Sequence, residues 1–168
     1  MHIMTVCLGN ICRSPAAEAV LVRRLAEAGL DHVRVSSAGT ADYHVGERPH
    51  PMSQAEGERR GYRFPTRAAQ LEPADLEGAD LVVVMDAANE RDVLALARRP
   101  EDARKVVRLG AFAPDAAEGV RDVPDPWGLP EAAYGRMYDQ IEEAVEALVT
   151  AIVDGTLGHI LDRRRAVS

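Results

Sequence analysis

Short apolar runs alternate with longer segments of helical period along this chain. Four β-prone runs are expected to form strands: 3–6, 33–37, 81–85 and 105–109. Four segments with apolar residues at helical spacing are expected to form helices: 15–28, 52–60, 89–98 and 131–153. This alternation predicts an α/β fold with three layers, in which a four-stranded parallel sheet carries helices on both faces.

The remaining segments are expected to be loops and a tail. Residues 41–51 are rich in glycine, proline and histidine, and residues 110–130 are rich in proline, so both are expected to be loops. One domain is expected over 1–154, because the chain length suits one compact unit and no internal repeat is present. Residues 155–168, with arginines 163–165, are expected to form a frayed C-terminal tail.

Net charge and the lengths of the apolar runs argue against several classes of function. The chain has 20 Lys and Arg residues against 27 Asp and Glu residues, a net charge of -7, whereas a protein that binds a nucleic-acid backbone usually carries the opposite balance. The first residues lack the basic and apolar regions of a signal sequence, and no apolar run approaches the roughly 18 residues that span a membrane. We therefore expect a cytoplasmic protein with no nucleic-acid or membrane partner, in which both cysteines are mostly reduced.

The loop after the first strand carries the residues that phosphate-ester chemistry requires. Cys7 and Arg13 are separated by five residues where a strand joins a helix, and ligands of parallel sheets bind beyond the carboxyl ends of strands. Backbone N–H groups at a helix N-terminus can hold phosphoryl oxygens, and Gly9 and Asn10 tolerate the dihedral angles of such a turn. The residues expected to bind phosphate are Leu8, Gly9, Asn10, Ile11, Cys12, Arg13 and Ser14.

In this loop Cys7 is expected to be the nucleophile, and Arg13 is expected to hold two phosphate oxygens with its planar fork. The donors that hold phosphate also stabilise a thiolate, and the Ser14 hydroxyl is expected to support the sulfur as a leaving group. A buried structural cysteine with an ordinary surface arginine is the alternative. A zinc site is disfavoured because Cys7, Cys12 and the scattered histidines supply no set of four ligands, so neither a metal nor a cofactor is expected.

The nonapeptide from Cys7 to Pro15, Cys-Leu-Gly-Asn-Ile-Cys-Arg-Ser-Pro, resembles the signature of the low-molecular-weight protein tyrosine phosphatases. Weaker similarities follow in that family's order over residues 3–153: Ser37-Ala38-Gly39-Thr40, Tyr43-His44-Val45-Gly46, Met85-Asp86 with Asn89, and Asp125-Pro126-Trp127. The resemblance implies metal-free hydrolysis of protein phosphotyrosine through a phosphocysteine, with a tyrosine-phosphorylated protein as the partner. The oligomeric state is left open, with a monomer expected.

A carboxylic acid should protonate the departing phenol, and two aspartates compete for this role. Asp125 lies between two prolines, whereas Asp122 lacks a proline on its C-terminal side; an Asp-Pro pair also occurs in ordinary turns. The resemblance assigns the general acid and base to Asp125. Tyr43 and Trp127 are candidate walls that stack on the substrate ring, and partial burial against the last helix is the alternative for Tyr43.

Other polar residues near the loop have supporting assignments. Cys12 either fills space below the loop or, as the resemblance implies, forms a reversible disulfide that protects Cys7 from irreversible oxidation. Asp86 and Asn89 are expected to cap the helix after the third strand. His44 is expected to stabilise its own loop.

The resemblance also implies a support for Asn10. In that family a serine and a histidine hold the loop asparagine in its left-handed conformation by hydrogen bonds. Ser37 matches the serine, whereas Thr66 stands at the histidine position and Ala69 stands where an arginine is usual. A threonine hydroxyl could still bond to Asn10, and the sequence leaves open whether Thr66 replaces the histidine.

Three other functions share parts of this pattern. Protein arginine phosphatases of the same superfamily typically have threonine before the second loop cysteine, where this chain has Ile11. An arsenate reductase coupled to thioredoxin needs further cysteines to relay a disulfide, and none follows Cys12. A phosphopeptide-binding module needs neither a nucleophile nor an acid, so the presence of Cys7 and Asp125 argues against it. Tyrosine phosphatase is the function that we expect.

Overall fold

A parallel sheet of four strands organises the computed structural model, which describes residues 1–116 and 119–165. The strands are ordered β2-β1-β3-β4, and every neighbouring pair is parallel. Their bounds are β1 (His2–Cys7), β2 (Arg34–Gly39), β3 (Leu81–Val84) and β4 (Val106–Arg108). The predicted α/β class and the four-stranded parallel sheet are confirmed.

Helices surround the sheet along the described ranges. Their bounds are α1 (Arg13–Glu27), α2 (Pro51–Arg59), α3 (Pro73–Gly78), α4 (Ala87–Leu96), α5 (Pro100–Ala103), α6 (Glu131–Val153) and α7 (Leu157–Arg165). The four helices predicted from periodicity correspond to α1, α2, α4 and α6. The sequence analysis missed α3, α5 and a 3-10 helix at Leu109–Phe112, because four to six residues are too few to show a helical period.

The strand side chains alternate between two buried layers. In β1, Ile3 and Cys7 lie in the larger apolar cluster, which includes the buried faces of α1 and α6. Met4 and Val6 lie in the second cluster, with residues of α3 and α4. Helices therefore cover both faces of the sheet, as predicted.

The segment after Val153 forms a helix where the sequence analysis expected a frayed tail. In α7, Leu157, Ile160 and Leu161 are partly buried against the larger apolar cluster, so apolar packing orders this segment. Residues 166–168 of the expected tail lie outside the described residues. Among the described residues, no helix combines the length and the apolar character that crossing a membrane would need.

The order of the strands places a crevice at the carboxyl end of β1. From β1 the chain runs through α1 to β2 on one side, and it returns to β3 on the other side. In parallel sheets such a reversal opens a crevice in which ligands bind. The loop between Cys7 and Arg13 lies at this reversal.

Candidate active site

The loop between β1 and α1 turns at Asn10, whose φ of 54° lies in the left-handed region. Its side chain makes three hydrogen bonds: Nδ2 donates to Ser14 Oγ (2.8 Å) and to Ser37 Oγ (2.9 Å), and Oδ1 accepts from the Ala69 N–H (2.9 Å). A left-handed residue other than glycine is costly and persists where its surroundings hold it. The predicted contact between Ser37 and Asn10 is confirmed.

Thr66 does not donate to Asn10, which answers the question that the sequence left open for that hydroxyl. Its Oγ1 donates instead to Glu18 Oε2 (3.0 Å), and the same oxygen accepts from Ser37 Oγ (2.5 Å). Glu18 is buried on α1, and burial raises its pKa while the two hydroxyl donors oppose that rise. The sequence analysis missed Glu18, although a carboxylate next to the apolar stripe of α1 was a visible signal.

The carbonyl groups of the loop turn outward. Four of them accept hydrogen bonds from neighbouring segments: Cys7 from Thr40 N–H (2.9 Å), Leu8 from Ala41 N–H (2.9 Å), Ile11 from His50 N–H (2.7 Å) and Cys12 from Ser53 Oγ (3.1 Å). Within residues 1–116 and 119–165, no backbone N–H of residues 8–14 donates to a protein acceptor. These amides form a nest of donors of the kind that holds an anion.

Two glycines let the loop approach its neighbours. A Cβ atom on Gly39 would lie 2.6 Å from the Leu8 carbonyl oxygen and 3.0 Å from the Asn10 nitrogen, so the end of β2 leaves no room for a side chain. A Cβ atom on Gly9 would lie 3.0 Å from the His44 ring. His44 Nδ1 lies 2.9 Å from Glu47 Oε2, which agrees with a role in its own loop.

Cys7 lies at the base of this loop and is buried. Its Sγ is 3.1 Å from Ser14 Oγ. The Ser14 carbonyl accepts a hydrogen bond from Thr5 Oγ1 (2.9 Å), which ties the first turn of α1 to β1. The structure thus brings together Cys7 and Ser14, as the sequence predicted.

Arg13 is 3% exposed, so it is not an ordinary surface cation. Its Nη1 donates to Asp86 Oδ2 (2.5 Å) and to the Val123 carbonyl (3.2 Å), and its Nη2 donates to Asp125 Oδ2 (3.0 Å). Burial alone would lower the pKa of Arg13, but Cys7, Asp86 and Asp125 raise it. Three of its five N–H donors contact protein in these bonds, which leaves Nε–H and one Nη2–H for a bidentate contact with an anion.

The geometry separates the two competing aspartates. Asp125 Oδ2 accepts a hydrogen bond from Arg13 Nη2 at the loop, and its Oδ1 accepts one from the Trp127 N–H (3.1 Å). Asp122 pairs instead with Arg108 (3.1 Å). The structure therefore brings Asp125 to the loop that carries Cys7, whereas Asp122 has its own cation.

The two candidate walls are exposed. Tyr43 is 71% exposed and Trp127 is 63% exposed, so Tyr43 is not buried against α6. Exposed large aromatic side chains are favourable stacking surfaces for a ring.

Asp86 has a second contact that the sequence analysis missed. It caps α4 as predicted, because its Oδ1 accepts from the Asn89 N–H (2.7 Å). Its Oδ2 accepts from Arg13, which is 73 positions away in the sequence. The same carboxylate therefore starts a helix and orients the guanidinium of the loop.

Cys12 is a buried free thiol, as is Cys7. Burial raises the pKa of Cys12 to about 12, and Asp125 and Cys7 add to the rise. The Cys12 sulfur is therefore protonated near neutral pH.

A family model for low molecular weight phosphotyrosine protein phosphatases matches residues 2–156. A low molecular weight protein-tyrosine-phosphatase of Streptomyces coelicolor is 39% identical over 148 residues, which cover 88% of this chain and 90% of that protein.

Solved structures show the same likeness. A protein tyrosine phosphatase of Entamoeba histolytica superposes with a TM-score of 0.86 at 31% identity and covers 94% of this chain and 99% of its own. The arginine phosphatase YwlE superposes with a TM-score of 0.81 at 28% identity, over 90% of this chain and 95% of its own. The match to the family model over nearly the whole chain decides the assignment: this chain belongs to the low molecular weight phosphotyrosine protein phosphatase family.

Proposed function

We propose that this protein hydrolyses phosphotyrosine in proteins to tyrosine and phosphate through a phosphocysteine intermediate. The observation that carries the proposal is the placement of Cys7. Its sulfur lies 3.1 Å from the Ser14 hydroxyl at the base of a loop of outward carbonyls, and Arg13 of the same loop meets Asp125. A nucleophile, an anion site and a carboxyl group thus occupy one end of β1.

In the first step the Cys7 thiolate attacks phosphorus. The bond from phosphorus to the phenolic oxygen breaks with its electron pair on that oxygen, and the protonated Asp125 carboxyl donates a proton there. The amides of residues 8–14 and the Arg13 guanidinium hold the other phosphoryl oxygens. The products are a phenol, a phosphocysteine and an Asp125 carboxylate.

In the second step water attacks the phosphocysteine. The Asp125 carboxylate takes a proton from the water, and the bond between phosphorus and sulfur breaks with its electron pair on the Cys7 sulfur. A hydrogen bond from Ser14 stabilises the departing thiolate. Arg13 and the loop amides supply the charge neutralisation, so the mechanism includes no metal and no cofactor.

The surface around the loop favours an aromatic substrate. Tyr43 and Trp127 offer large exposed rings, and Leu8 is 40% exposed at the loop itself. Phosphoarginine is the second candidate substrate, because YwlE, an arginine phosphatase, has the same fold. Ile11, which has no hydroxyl and is buried, favours phosphotyrosine.

A redox role for Cys12 is part of the proposal. A peroxide would oxidise the Cys7 thiolate to a sulfenic acid, and the Cys12 sulfur would then displace water from it to form a disulfide. Because the raised pKa of Cys12 leaves little thiolate at neutral pH, we expect this closure to be slow. Two thiols that must be reduced for activity suit the cytoplasm, which we propose as the location.

Side-by-side turnover of a phosphotyrosine peptide, phosphoarginine and arsenate tests the proposal. Phosphotyrosine should be turned over fastest, and Cys7→Ser should lower that turnover on the order of 10⁴-fold or more. Rapid acid quenching of the wild-type protein with labelled substrate should leave phosphate on Cys7. Retained turnover in Cys7→Ser would exclude the covalent mechanism, and faster turnover of phosphoarginine would favour the second candidate.

A further inference from the structure

We infer that Tyr134 and His50 form a proton relay for the Cys12 thiol, which loses its proton through them as it forms a disulfide. The disulfide partner is Cys7, so the inference rests on the proposed redox role of Cys12. Neither ring takes part in the proposed hydrolysis steps. Tyr134 belongs to α6, whereas His50 is the residue that caps the start of α2.

Two hydrogen bonds hold the start of α2 against the loop between β1 and α1. The His50 N–H donates to the Ile11 carbonyl (2.7 Å), and Ser53 Oγ donates to the Cys12 carbonyl (3.1 Å). The His50 ring lies nearly parallel to the Tyr134 ring, at 15° with the centroids 5.5 Å apart. The segment that carries the imidazole is therefore tied directly to the segment that carries the second thiol.

The hydrogen bonds of the His50 ring set the direction of the relay. Its Nδ1 accepts from the Met52 N–H (3.3 Å), a group that can only donate. Nδ1 is therefore unprotonated, which places the proton of the neutral ring on Nε2. The Tyr134 hydroxyl lies 3.3 Å from the same Nδ1 and must donate to it. The phenolic oxygen keeps its lone pairs for a second donor.

The Cys12 thiol supplies that second donor. Cys12 is 4% exposed and Tyr134 is 0% exposed, and a hydrogen bond joins the phenol to the sulfur. Burial, followed by the negative charge of Cys12, raises the pKa of Tyr134 to about 12. Tyr134 therefore keeps a proton near neutral pH, and it passes one on only as it receives one.

A relay matters here because Cys12 ionises poorly by itself. Burial raises its pKa, Asp125 and Cys7 add negative charge beside it, and Arg13 opposes the rise. A thiolate formed in advance is therefore scarce at neutral pH, which slows the attack. An acceptor already in place lets the proton leave while the new bond forms.

The closure balances in protons and electrons. Hydrogen peroxide first oxidises the Cys7 thiolate to a sulfenic acid, and hydroxide leaves. The Cys12 sulfur then attacks the Cys7 sulfur, and the bond from that sulfur to oxygen breaks with its electron pair on oxygen. This second hydroxide takes a proton from solvent and leaves as water. The thiol proton moves to the Tyr134 oxygen while the phenolic proton moves to His50 Nδ1, and the partly buried imidazolium returns a proton to solvent.

Tyr134→Phe removes the relay hydroxyl and keeps the ring. After a pulse of hydrogen peroxide, intact mass with alkylation of the remaining thiols measures the disulfide and the sulfinic acid of Cys7 over time. Tyr134→Phe should close the disulfide roughly tenfold more slowly, so peroxide should convert more Cys7 to sulfinic acid. Before oxidation, its kcat with nitrophenyl phosphate should stay within about twofold of wild type. Equal rates of closure in the two proteins would overturn the inference.

His50→Asn removes the final acceptor and keeps the helix cap, because asparagine is a favoured N-cap residue. It should also slow closure roughly tenfold, and it tests the relay alone if Tyr134→Phe does not fold. On a Tyr134→Phe background it should cause almost no further slowing, since His50 reaches the thiol only through Tyr134. Additive losses in the double variant would overturn the inference.

The dependence of closure on pH separates a relay from a change in packing. Without the hydroxyl, Cys12 must ionise before it attacks, so closure in Tyr134→Phe should quicken roughly tenfold per pH unit near neutrality. With the relay the increase should be shallower. The charged groups beside the thiol, Asp125, Cys7 and Arg13, are the same in both proteins. Parallel pH profiles would overturn the inference.

Tyr138→Phe is the matched control. Tyr138 lies one turn further along α6, is also 0% exposed, and donates its hydroxyl to the Ser53 carbonyl (2.9 Å). This variant should keep the rate of closure within about twofold of wild type. Closure as slow as in Tyr134→Phe would show that loss of any buried phenol on α6 acts through packing, which would overturn the inference.

Failure of the relay and failure of the proposed function give different results. Absence of a disulfide in the wild-type protein after peroxide would overturn the redox role of Cys12 and the relay with it. Absence of phosphotyrosine turnover would count against the proposed function. Closure that is equally fast in wild type and Tyr134→Phe would count against the relay alone.

Discussion

Glu18 and Asp102 are both buried carboxylates, yet their partners differ completely. Asp102 lies before β4, at the amino end of the sheet, where Arg99 donates to both of its oxygens (2.9 and 2.8 Å) and Lys105 adds a third contact (3.2 Å). The bonds from Arg99 come first among the causes that lower the pKa of Asp102 to about 2. Among the described residues, Glu18 has two hydroxyl donors and no such cation, and burial raises its pKa.

The difference separates a structural carboxylate from one that serves a site. The ion pairs of Asp102 end locally, since its partners lie within three residues of it. The bonds of Glu18 continue through Ser37 and Asn10 towards Cys7. Loss of a carboxylate at the site should therefore change a rate, whereas loss at the amino end of the sheet should change stability.

Among the carboxylates at the site, loss of Asp125 should have the largest effect on the rate. Asp125→Asn should lower kcat/KM for phenyl phosphate roughly 10²-fold or more, because the poor leaving group loses its proton donor. Steady-state kinetics on phenyl phosphate and nitrophenyl phosphate measure it, with a smaller loss for the better leaving group. Asp122→Asn is the matched control and should stay within about twofold, since Asp122 pairs with Arg108. Equal losses in the two variants would contradict the acid assignment.

An intermediate effect is expected at Asp102. Asp102→Asn should lower Tm at neutral pH without changing kcat. Because folding lowers the pKa of Asp102 from 3.8 to about 2, its stabilisation is present above pH 3.8 and is lost as the pH falls towards 2. Thermal unfolding followed from neutral pH down to about pH 2 should show the gap in Tm between variant and wild type closing. A gap in Tm that stays constant over this range would contradict the stabilising role of the Asp102 ion pairs.

The smallest effect is expected for the stability of Glu18→Gln. Folding raises the pKa of Glu18 above its usual 4.5, so its contribution to stability is present below pH 4.5 and declines as the pH rises through the folded pKa. Glutamine cannot ionise, so Tm of the variant relative to wild type should rise by about 1–3 °C between pH 4 and pH 8. Thermal unfolding of both proteins at the two pH values tests this. If the Tm of Glu18→Gln relative to wild type falls instead, the claim that ionised Glu18 is buried without a cation is contradicted.

The local parts of the site could be predicted because they are contiguous. Cys7, Asn10, Arg13 and Ser14 lie in one short stretch from the end of β1 to the first turn of α1, so spacing alone placed them together. The sequence left the partner of Thr66 open, and in the structure Glu18 lies between the Thr66 hydroxyl and Ser37. Nothing in the local pattern around Thr66 reveals a contact with a residue 48 positions away.

The same dependence on local pattern decided which helices could be predicted. The stripe of α6 was visible because apolar side chains recur over 23 residues. The short α3 and α5 begin at Pro73 and Pro100 and carry too few residues for a period. The ordering of α7 depends on its packing against α6 and the core, which no local pattern records.

The sequence by itself determined the alternation of strands and helices and the order of chemical groups in the loop, because both depend on residues close together in the chain. Only the tertiary structure decided which carboxylates surround Arg13, and that Glu18 supports Asn10 through Ser37. Those contacts join segments that meet only when the sheet and its helices assemble. Burial and the partners that the fold supplies then shift the pKa of each group.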